Sequence, residues 1–316
     1  MAIPQSLMPA VLAVCMASQR DGFSLLLSCL AVFGVVAGHL SANLFDDYFD
    51  YKVKKTDFRQ QMEHRGMRAR ISKCTYLTSG QATLPQLLVV SCIFGAIALI
   101  FGFVIYLFRG QAILVLAAIT GLICLSYSGA PLRLSYRGLG EIVIGLVFGP
   151  MLMTGVYYAA CGVFDNAVLF VSIPVGLLVT NIVYSHAIMD YEPDKAVGKK
   201  TFAVLLKSKK LMLCFLLLLL TSAFAIIMSG VVRKYLSAYY LFSLLTLPMA
   251  VSLYYLMIEF VRDPKRSFTP RFWMGPMYDW KRIEAAGVDW FMIRWLLARN
   301  LLTLFCIILM IVSLIP

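Results

Sequence analysis

Charged residues are scarce in this chain of 316 residues, since Asp, Glu, Lys and Arg together make up only 14% of it. Soluble proteins carry about 25% of these residues. By contrast, 61% of this sequence is hydrophobic and the mean hydropathy is +0.83. A water-soluble protein of this size could not cover its surface with so few charges. The composition therefore excludes an ordinary soluble domain.

Paired cysteines and a charged leader are also lacking. The eight cysteines are scattered and form no C-x-x-C pair. Isolated cysteines in apolar runs are typical of small buried residues, and not of a zinc site or a disulfide framework. No charged region precedes the first apolar run, so we expect that this run is retained and not cleaved as a signal peptide.

Apolar runs of about 20 residues are plentiful, and such runs are long enough to cross a bilayer as helices. We predict an all-α polytopic membrane bundle of about nine transmembrane helices, forming a single domain over residues 1–316. The first segment is the shortest, and we expect it to be tilted or partly interfacial. The predicted segments are 4–19, 23–49, 85–108, 111–128, 139–162, 167–190, 211–231, 236–260 and 289–314.

The basic residues are distributed unevenly over the connections between these segments. With a cytoplasmic N-terminus, the connections 50–84, 129–138, 191–210 and 261–288 hold 22 of the 28 Lys and Arg residues, and the opposite side holds four. Such an excess is typical of cytoplasmic loops. It accounts for the net charge of +12 without nucleic acid, which we do not expect as a partner. We predict a protein of the bacterial inner membrane, in contact with the lipid bilayer.

The second segment ends in a group of acidic residues. Asn43, Asp46, Asp47 and Asp50 fall on one face of a helix, since residues three or four apart share a face. The three carboxylates repel one another, and they lie at a helix C-terminus, where the macrodipole favours cations. We therefore predict that these four residues bind a divalent cation.

The sixth segment ends in a second acidic group, in which Asp190 and Asp194 are one turn apart. Both groups fall on the side predicted to be cytoplasmic, and both precede loops rich in Lys and Arg. Oxygen ligands suit Mg²⁺, whose coordination is commonly completed by substrate phosphates, and basic side chains bind phosphate oxygens. We therefore predict Mg²⁺ at these two groups, with phosphate groups of a substrate completing its coordination.

Two other interpretations of the acids stay open at this point. The acids could pair only with nearby basic loop residues at the interface. They could also relay Na⁺ or H⁺ in a cation-coupled transporter, although transporter carboxylates usually lie near the middle of the membrane. Two such groups on one side, each followed by lysines, favour the site for Mg²⁺ and phosphate.

Four stretches of sequence are more specific, namely 46–50, 190–194, 198–201 and 127–141. The first three, with Asp-Asp-Tyr-Phe-Asp, Asp-Tyr-Glu-Pro-Asp and Gly-Lys-Lys-Thr, resemble the UbiA superfamily of intramembrane prenyltransferases. The fourth is similar to its menaquinone-type branch. One difference is Asp46, where the superfamily usually has Asn.

This resemblance implies a fold, a reaction and partners. It implies nine membrane helices with two aspartate-rich motifs on the cytoplasmic side. It also implies Mg²⁺-dependent transfer of a polyprenyl group from an allylic prenyl diphosphate to an aromatic acceptor, 1,4-dihydroxy-2-naphthoate, in menaquinone biosynthesis. The acceptors 4-hydroxybenzoate, haem, chlorophyllide and an ether lipid stay open as alternatives.

The resemblance also implies roles for individual side chains. We expect Asp47, Asp50, Asp190 and Asp194 to be the catalytic acids that hold the ions. The candidate substrate contacts have basic, aromatic or imidazole side chains, and they are Lys199, Lys200, Arg133, Arg70, Lys73, Tyr48, Tyr127, Tyr136 and His186.

Three other residues have a predicted role outside this set. Tyr184 is a further candidate for stabilising an allylic cation with its aromatic face. His39 is expected to hydrogen-bond between helices. Glu141 is expected either to cap the N-terminus of the fifth helix or to act in the site.

Overall fold

The structure, a computed structural model, describes residues 3–52, 74–129, 131–196 and 198–315. Within these ranges the chain forms helices and loops, with one isolated parallel β-bridge between Arg137 and Lys200. The prediction of an all-α fold is confirmed.

Each predicted hydrophobic segment is a helix. The long helices are α1 Pro4–Ala17, α2 Leu25–Lys52, α3 Leu84–Arg109, α4 Gln111–Ser128, α5 Gly140–Cys161, α6 Asn166–Met189, α7 Lys209–Val232, α8 Ala238–Arg262 and α9 Asp289–Ser313. The middle of α5 is a π-helical turn at Val147–Met151, and α8 begins with a 3₁₀ segment at Ala238–Thr246.

Among the described residues, eight helices, α2 to α9, are long and apolar enough to span a membrane. The shortest of them has 18 residues, which corresponds to about 27 Å at 1.5 Å per residue, close to the ~30 Å hydrocarbon core. Helix α1 has 14 residues and reaches only about 21 Å, and its tilted or partly interfacial position stays a prediction. The chain is an integral membrane protein.

Polar side chains fix where several helices begin. Thr83 and Gln86 form a capping box at the start of α3, in which each side chain bonds the backbone N–H of the other residue. Asp165 accepts from the Ala167 N–H at the start of α6, and Ser208 caps α7. These caps satisfy N–H groups that have no partner within the helix.

Helices α5 and α6 cross with their backbones in close contact. A Cβ atom built on Gly176 would lie 2.5 Å from the Gly145 carbonyl oxygen and 3.1 Å from Pro150 Cδ. The Thr180 hydroxyl donates to the Glu141 carbonyl across the same crossing, at 3.3 Å. Small residues allow such close packing between membrane helices, where dispersion contacts drive association.

One large apolar core joins α1, α5, α6, α7, α8 and α9, with buried side chains such as Met153, Leu178, Leu216, Leu253 and Leu301. Helices α3 and α4 bury few residues and expose many apolar ones, as expected for helices in contact with lipid. The core therefore fixes the relative positions of α5, α6 and α9, on which part of the candidate site is built.

Candidate active site

The acidic residues of α2 lie along one face of that helix. At 100° per residue, Asn43, Asp46, Asp47 and Asp50 fall within an arc of about 100°. Asp50 is buried, Asp46 and Asp47 are half-buried, and Asn43 is exposed one turn earlier. The side-chain oxygen atoms on this face thus extend from the buried Asp50 to the exposed Asn43.

Hydroxyl groups from three other parts of the chain orient these carboxylates. Ser128, the last residue of α4, donates to Asp46, and Tyr136 donates to Asp50. The Tyr76 hydroxyl donates to Asp47 at 2.8 Å. Neutral hydroxyl donors therefore help to hold each of these three acids in position.

The second acidic group is continuous with the lysines that follow it. Asp190 ends α6, and Asp194 lies in the short helix Tyr191–Ala196; both side chains are buried. The Lys199 N–H donates to the Asp194 carbonyl at 2.9 Å, so the chain folds back on itself between them. His186 lies one turn before Asp190, with Nδ1 3.5 Å from an oxygen of that carboxylate.

The loop between α4 and α5 contacts the first acidic group and the lysine segment that follows the second. Tyr136 in this loop bonds Asp50, and the next residue, Arg137, forms the backbone bridge to Lys200. The acids of α2 and of α6 therefore lie at the same end of the bundle, on either side of one short loop. We call this the acidic end.

Glu141 adds a further link between the two sides. Its buried carboxylate accepts from the Phe202 N–H at 3.0 Å. It thereby bonds the first N–H of the short helix Phe202–Leu206, whose N-cap residue is Thr201, and it also accepts from its own N–H at the start of α5, where a cap was expected. Glu141 therefore positions the segment that carries Lys199 and Lys200.

The predicted basic contacts are only partly covered by the structure. Lys199 is half-buried, and Lys200 and Arg133 are exposed near the same loop. Arg133 has a left-handed backbone, with φ +46°, and its N–H donates to the Gly129 carbonyl. Arg70 and Lys73 lie outside the described residues, and their roles stay predictions.

The aromatic candidates separate into two groups. Tyr136 and Tyr127 are half-buried near the loop between α4 and α5. Tyr48 lies on the face of α2 opposite Asp46 and packs in a small apolar cluster with Cys74, Leu77 and Leu87. The structure therefore does not bring Tyr48 to the acids' face.

Two further expectations concern buried side chains, Tyr184 and His39. Tyr184 is fully buried, and its hydroxyl donates to the Met212 carbonyl of α7 at 3.1 Å, so it serves packing between α6 and α7. His39 lies 2.7 Å from Ser6 Oγ and joins α1 to α2, as expected. The His186 ring contacts Phe291 of α9 edge-on at 5.2 Å.

Two residues that contact the acids were not predicted. Ser128 and Tyr76 each donate to a carboxylate of α2. Ser128 lies inside the 127–141 stretch that carries the resemblance, which is a signal that could have identified it. Tyr76 has no comparable signal, since its partner Asp47 lies 29 residues away.

The donor set fits a hard divalent cation. The acidic end offers carboxylate, amide and hydroxyl oxygens, which suit Mg²⁺. Within the described residues, no three His, Cys, Asp or Glu side chains converge to hold a metal by themselves. Asp46, Asp47 and Asp50 therefore do not form a three-carboxylate metal site by themselves, and an ion on this face would take its remaining ligands from water and substrate phosphates, as Mg²⁺ commonly does.

Sequence comparisons connect this architecture to known proteins. The profile described as the UbiA prenyltransferase family matches residues 6–275. The 1,4-dihydroxy-2-naphthoate octaprenyltransferase of Bacillus subtilis (strain 168) is 25% identical over 209 residues, 65% of this chain and 62% of that protein. The 2-carboxy-1,4-naphthoquinone phytyltransferase of Synechocystis sp. (strain PCC 6803) is 36% identical over 84 residues, 27% of each chain. The chain thus covers less than two thirds of the length of either relative.

A structural comparison extends over nearly the whole chain. A UbiA homologue from Archaeoglobus fulgidus, solved bound to GPP and Mg²⁺, superposes with a TM-score of 0.60. The match covers 98% of this chain and 96% of that one, at 13% sequence identity. At this identity the likeness establishes a shared fold.

Proposed function

Because the chain belongs to the UbiA prenyltransferase family, we propose that it transfers a polyprenyl group from an allylic prenyl diphosphate to 1,4-dihydroxy-2-naphthoate. The observation that carries this proposal is the loop between α4 and α5. Its neighbouring residues Tyr136 and Arg137 contact Asp50 on one side and Lys200 on the other. Two acidic groups around one short loop can grip a single diphosphate between them.

The diphosphate site is assigned to the residues that face this loop. Asn43, Asp46, Asp47 and Asp50 would hold one Mg²⁺, and Asp190 and Asp194 a second. When bound, Mg²⁺ would supply positive charge that stabilises the leaving diphosphate. Lys199, Lys200 and Arg133 contact the phosphate oxygens directly, together with Arg70 and Lys73 from the connection after α2.

The reaction breaks one C–O bond and forms one C–C bond. The bond between the allylic carbon and the diphosphate oxygen breaks, the electron pair leaves with the diphosphate, and an allylic cation remains. The faces of Tyr127 and Tyr136 stabilise this cation and exclude water. An electron-rich ring carbon of the acceptor attacks it, and the ring regains aromaticity by losing a proton or CO₂ from that carbon. We assign His186, beside Asp190, to contact the acceptor.

Both substrates have a defined position relative to the membrane. The prenyl chain lies among the helices and lipid, since each buried CH₂ favours the membrane by about 0.8 kcal/mol. The aromatic acceptor and the diphosphate meet at the acidic end. We propose that this end faces the cytoplasm of a bacterium, with the N-terminus on the same side, because the basic connections cluster there. We also propose that the chain acts as one membrane domain.

Prenyl transfer by the purified protein tests this function. A labelled prenyl diphosphate is offered with each acceptor in turn: 1,4-dihydroxy-2-naphthoate, 4-hydroxybenzoate and an ether-lipid precursor. We expect a prenylated naphthoate product with Mg²⁺, none with EDTA, and recovery when Mg²⁺ is restored. A product formed only from another acceptor would overturn the acceptor assignment. If none of these acceptors is prenylated while the folded protein binds the donor, transfer to all three is excluded.

A further inference from the structure

The connection between α8 and α9 folds back along the bundle. From sequence it was expected to be a cytoplasmic loop, but its central residues contact both helices far from their ends. Trp273 donates through Nε1 to Ser252 Oγ of α8 at 3.0 Å. The Asn300 amide of α9 donates to the carbonyls of Met274 and Pro276, at 3.0 Å each. The segment Phe272–Tyr278 is thus fixed to both helices.

Helix geometry gives the depth of this segment. Ser252 lies ten residues before the end of α8, and Asn300 lies eleven residues after the start of α9. At 1.5 Å per residue, these positions are about 15 and 16 Å from the acidic end of the two helices. Two independent contacts therefore give the same depth.

The distance of Asn300 from the acidic end of α9 is greater than the length of this helix that can lie outside the hydrocarbon core. Its 25 residues extend about 37 Å, which is only about 7 Å more than the ~30 Å hydrocarbon core. Even if all of that excess lies at the acidic end, Asn300 is still about 9 Å inside the hydrocarbon. Helix tilt shortens the projection and only increases this value.

The composition of the segment suits such a position. Phe272–Tyr278 contains seven residues and no charge, with two aromatic side chains almost fully open: Phe272 is 92% and Tyr278 is 80% exposed. In water these rings would be unfavourable, whereas transfer of one such ring to an apolar phase stabilises it by about 1.5–3 kcal/mol. Arg271, just before the segment, has a side chain long enough to reach the interface.

Some of the backbone polar groups of the segment are bonded within the protein. Such bonds stabilise irregular backbone at membrane depth, because the hydrocarbon offers no hydrogen-bonding partner. Asn300 saturates two carbonyls, and the N–H groups of Met274 and Gly275 donate to Arg271 and Phe272 within the turn. Pro276 has no N–H to satisfy.

We propose that Phe272–Tyr278 is a re-entrant hairpin that inserts into the leaflet at the acidic end, with Phe272 and Tyr278 in contact with lipid chains. The lipid bilayer is the partner of this surface. The hairpin anchors α8 and α9, and with them Phe291, which packs against the His186 ring.

Thiol labelling in a bilayer tests the hairpin. Phe272→Cys and Lys265→Cys variants are reconstituted in nanodiscs of phosphatidylcholine with a minority of phosphatidylglycerol. A charged maleimide is added, and intact mass is followed against the wild type, whose native cysteines provide the baseline. We expect Lys265→Cys to label rapidly and Phe272→Cys at least about tenfold more slowly, because a thiolate forms poorly in lipid. Equal labelling rates would overturn the proposal.

Tryptophan fluorescence provides a second measurement, independent of the first variants. All four tryptophans lie at positions 273, 280, 290 and 295. A Trp280→Phe, Trp290→Phe and Trp295→Phe triple variant therefore leaves Trp273 as the single emitter. We expect strong quenching by phosphatidylcholine brominated on its acyl chain and weak quenching by aqueous acrylamide. The opposite pattern would place the hairpin in water and exclude insertion.

Discussion

Tyr136 offers a single hydroxyl group whose loss tests the geometry of the acids. Its O–H donates to Asp50, while the ring packs near the loop between α4 and α5. A hydrogen bond to a charged group contributes about 1.5–3 kcal/mol, and 1.4 kcal/mol corresponds to a factor of ten. We therefore expect Tyr136→Phe to lower kcat/KM for the prenyl diphosphate by roughly tenfold to a hundredfold. Steady-state kinetics at saturating acceptor measures this.

Tyr184→Phe is the matched control for this prediction. It removes the same atom from the same residue type, but that hydroxyl bonds the Met212 carbonyl between α6 and α7. We expect kcat/KM within about twofold of the wild type, with at most a loss of about 1 kcal/mol in stability. If the two variants lose activity equally, the Tyr136 hydroxyl has no special relation to the site.

Asp190 tests the charge of the second acidic group. Asp190→Asn keeps the shape of this buried side chain and removes its negative charge. Loss of one electrostatic contact to the developing charge typically lowers kcat by about 10²–10³. We expect a loss of that size in a prenyl-transfer assay, and we expect excess Mg²⁺ to restore part of it.

Asp165→Asn is the control for the loss of one carboxylate. Asp165 lies at the start of α6, at the opposite end of that helix, where it caps the helix and pairs with Arg20. Asn is an equally good helix cap, so we expect nearly unchanged turnover. Turnover retained by Asp190→Asn would exclude Asp190 as a ligand.

The sequence identifies the acids of the candidate site but not the groups that orient them. Asp46, Asp47 and Asp50 stand out because carboxylates at the end of an apolar helix are electrostatically costly. Their hydroxyl partners are common residues, and the contacts join positions 82 and 86 residues apart. Such pairings depend on how the helices pack, which no local pattern encodes.

At the scale of secondary-structure elements, Glu141 connects two loops. Its carboxylate accepts from the Phe202 N–H and holds the segment with Lys199 against the start of α5. Glu141→Ala leaves that partly buried N–H without its acceptor, at a cost of about 1–3 kcal/mol. We expect KM for the prenyl diphosphate to rise by roughly tenfold, with a smaller change in kcat, because the lysines lose their position.

The conservative variant separates this positioning role from a chemical one. In Glu141→Gln the side-chain oxygen can still accept from Phe202. We expect the KM of Glu141→Gln for the prenyl diphosphate to stay close to that of the wild type, without most of the increase expected for Glu141→Ala. A Gln variant as defective as the Ala variant would show that the negative charge, and not the hydrogen bond, is required.

The crossing of α5 and α6 is a second element-scale feature. A Cβ on Gly176 would meet backbone of α5 at 2.5 Å, so the two helices must separate to accept it. We expect Gly176→Ala to destabilise the protein by about 1–3 kcal/mol, measured as a lower midpoint of thermal unfolding in detergent. Gly155→Ala is the control on α5, since nothing lies within 4 Å of its Cβ position. If both variants lower the unfolding midpoint equally, the close contact between α5 and α6 is not the cause of the destabilisation.

The helices were the most predictable part of the fold, and the α8–α9 connection the least. Long apolar runs identify spans directly, and the predicted 111–128 segment coincides with α4. The hairpin Phe272–Tyr278 has only seven uncharged residues, which is too short for a span signal. Its position depends on Asn300 and Ser252, whose amide and hydroxyl side chains in apolar helices gave no indication of their partners.

At the scale of the whole molecule, ligand and fold are thermodynamically coupled. The acidic end joins α2, α6 and the loop before α5, so a ligand that binds there stabilises elements from both halves of the sequence. Without a counter-ion, the clustered carboxylates repel one another and the diphosphate. Inorganic pyrophosphate is the smallest probe that retains the charge of the substrate.

Thermal unfolding with pyrophosphate measures this coupling without any turnover. A ligand at a hundred times its Kd stabilises the folded state by about 2.7 kcal/mol. We expect pyrophosphate with Mg²⁺ to raise the apparent unfolding midpoint by several degrees, and either component alone to raise it much less. EDTA should abolish the increase, because pyrophosphate and the acids repel each other without a cation. A combined Asp47→Asn and Asp190→Asn variant that still responds fully would mean that the anion binds elsewhere, on the basic loops alone.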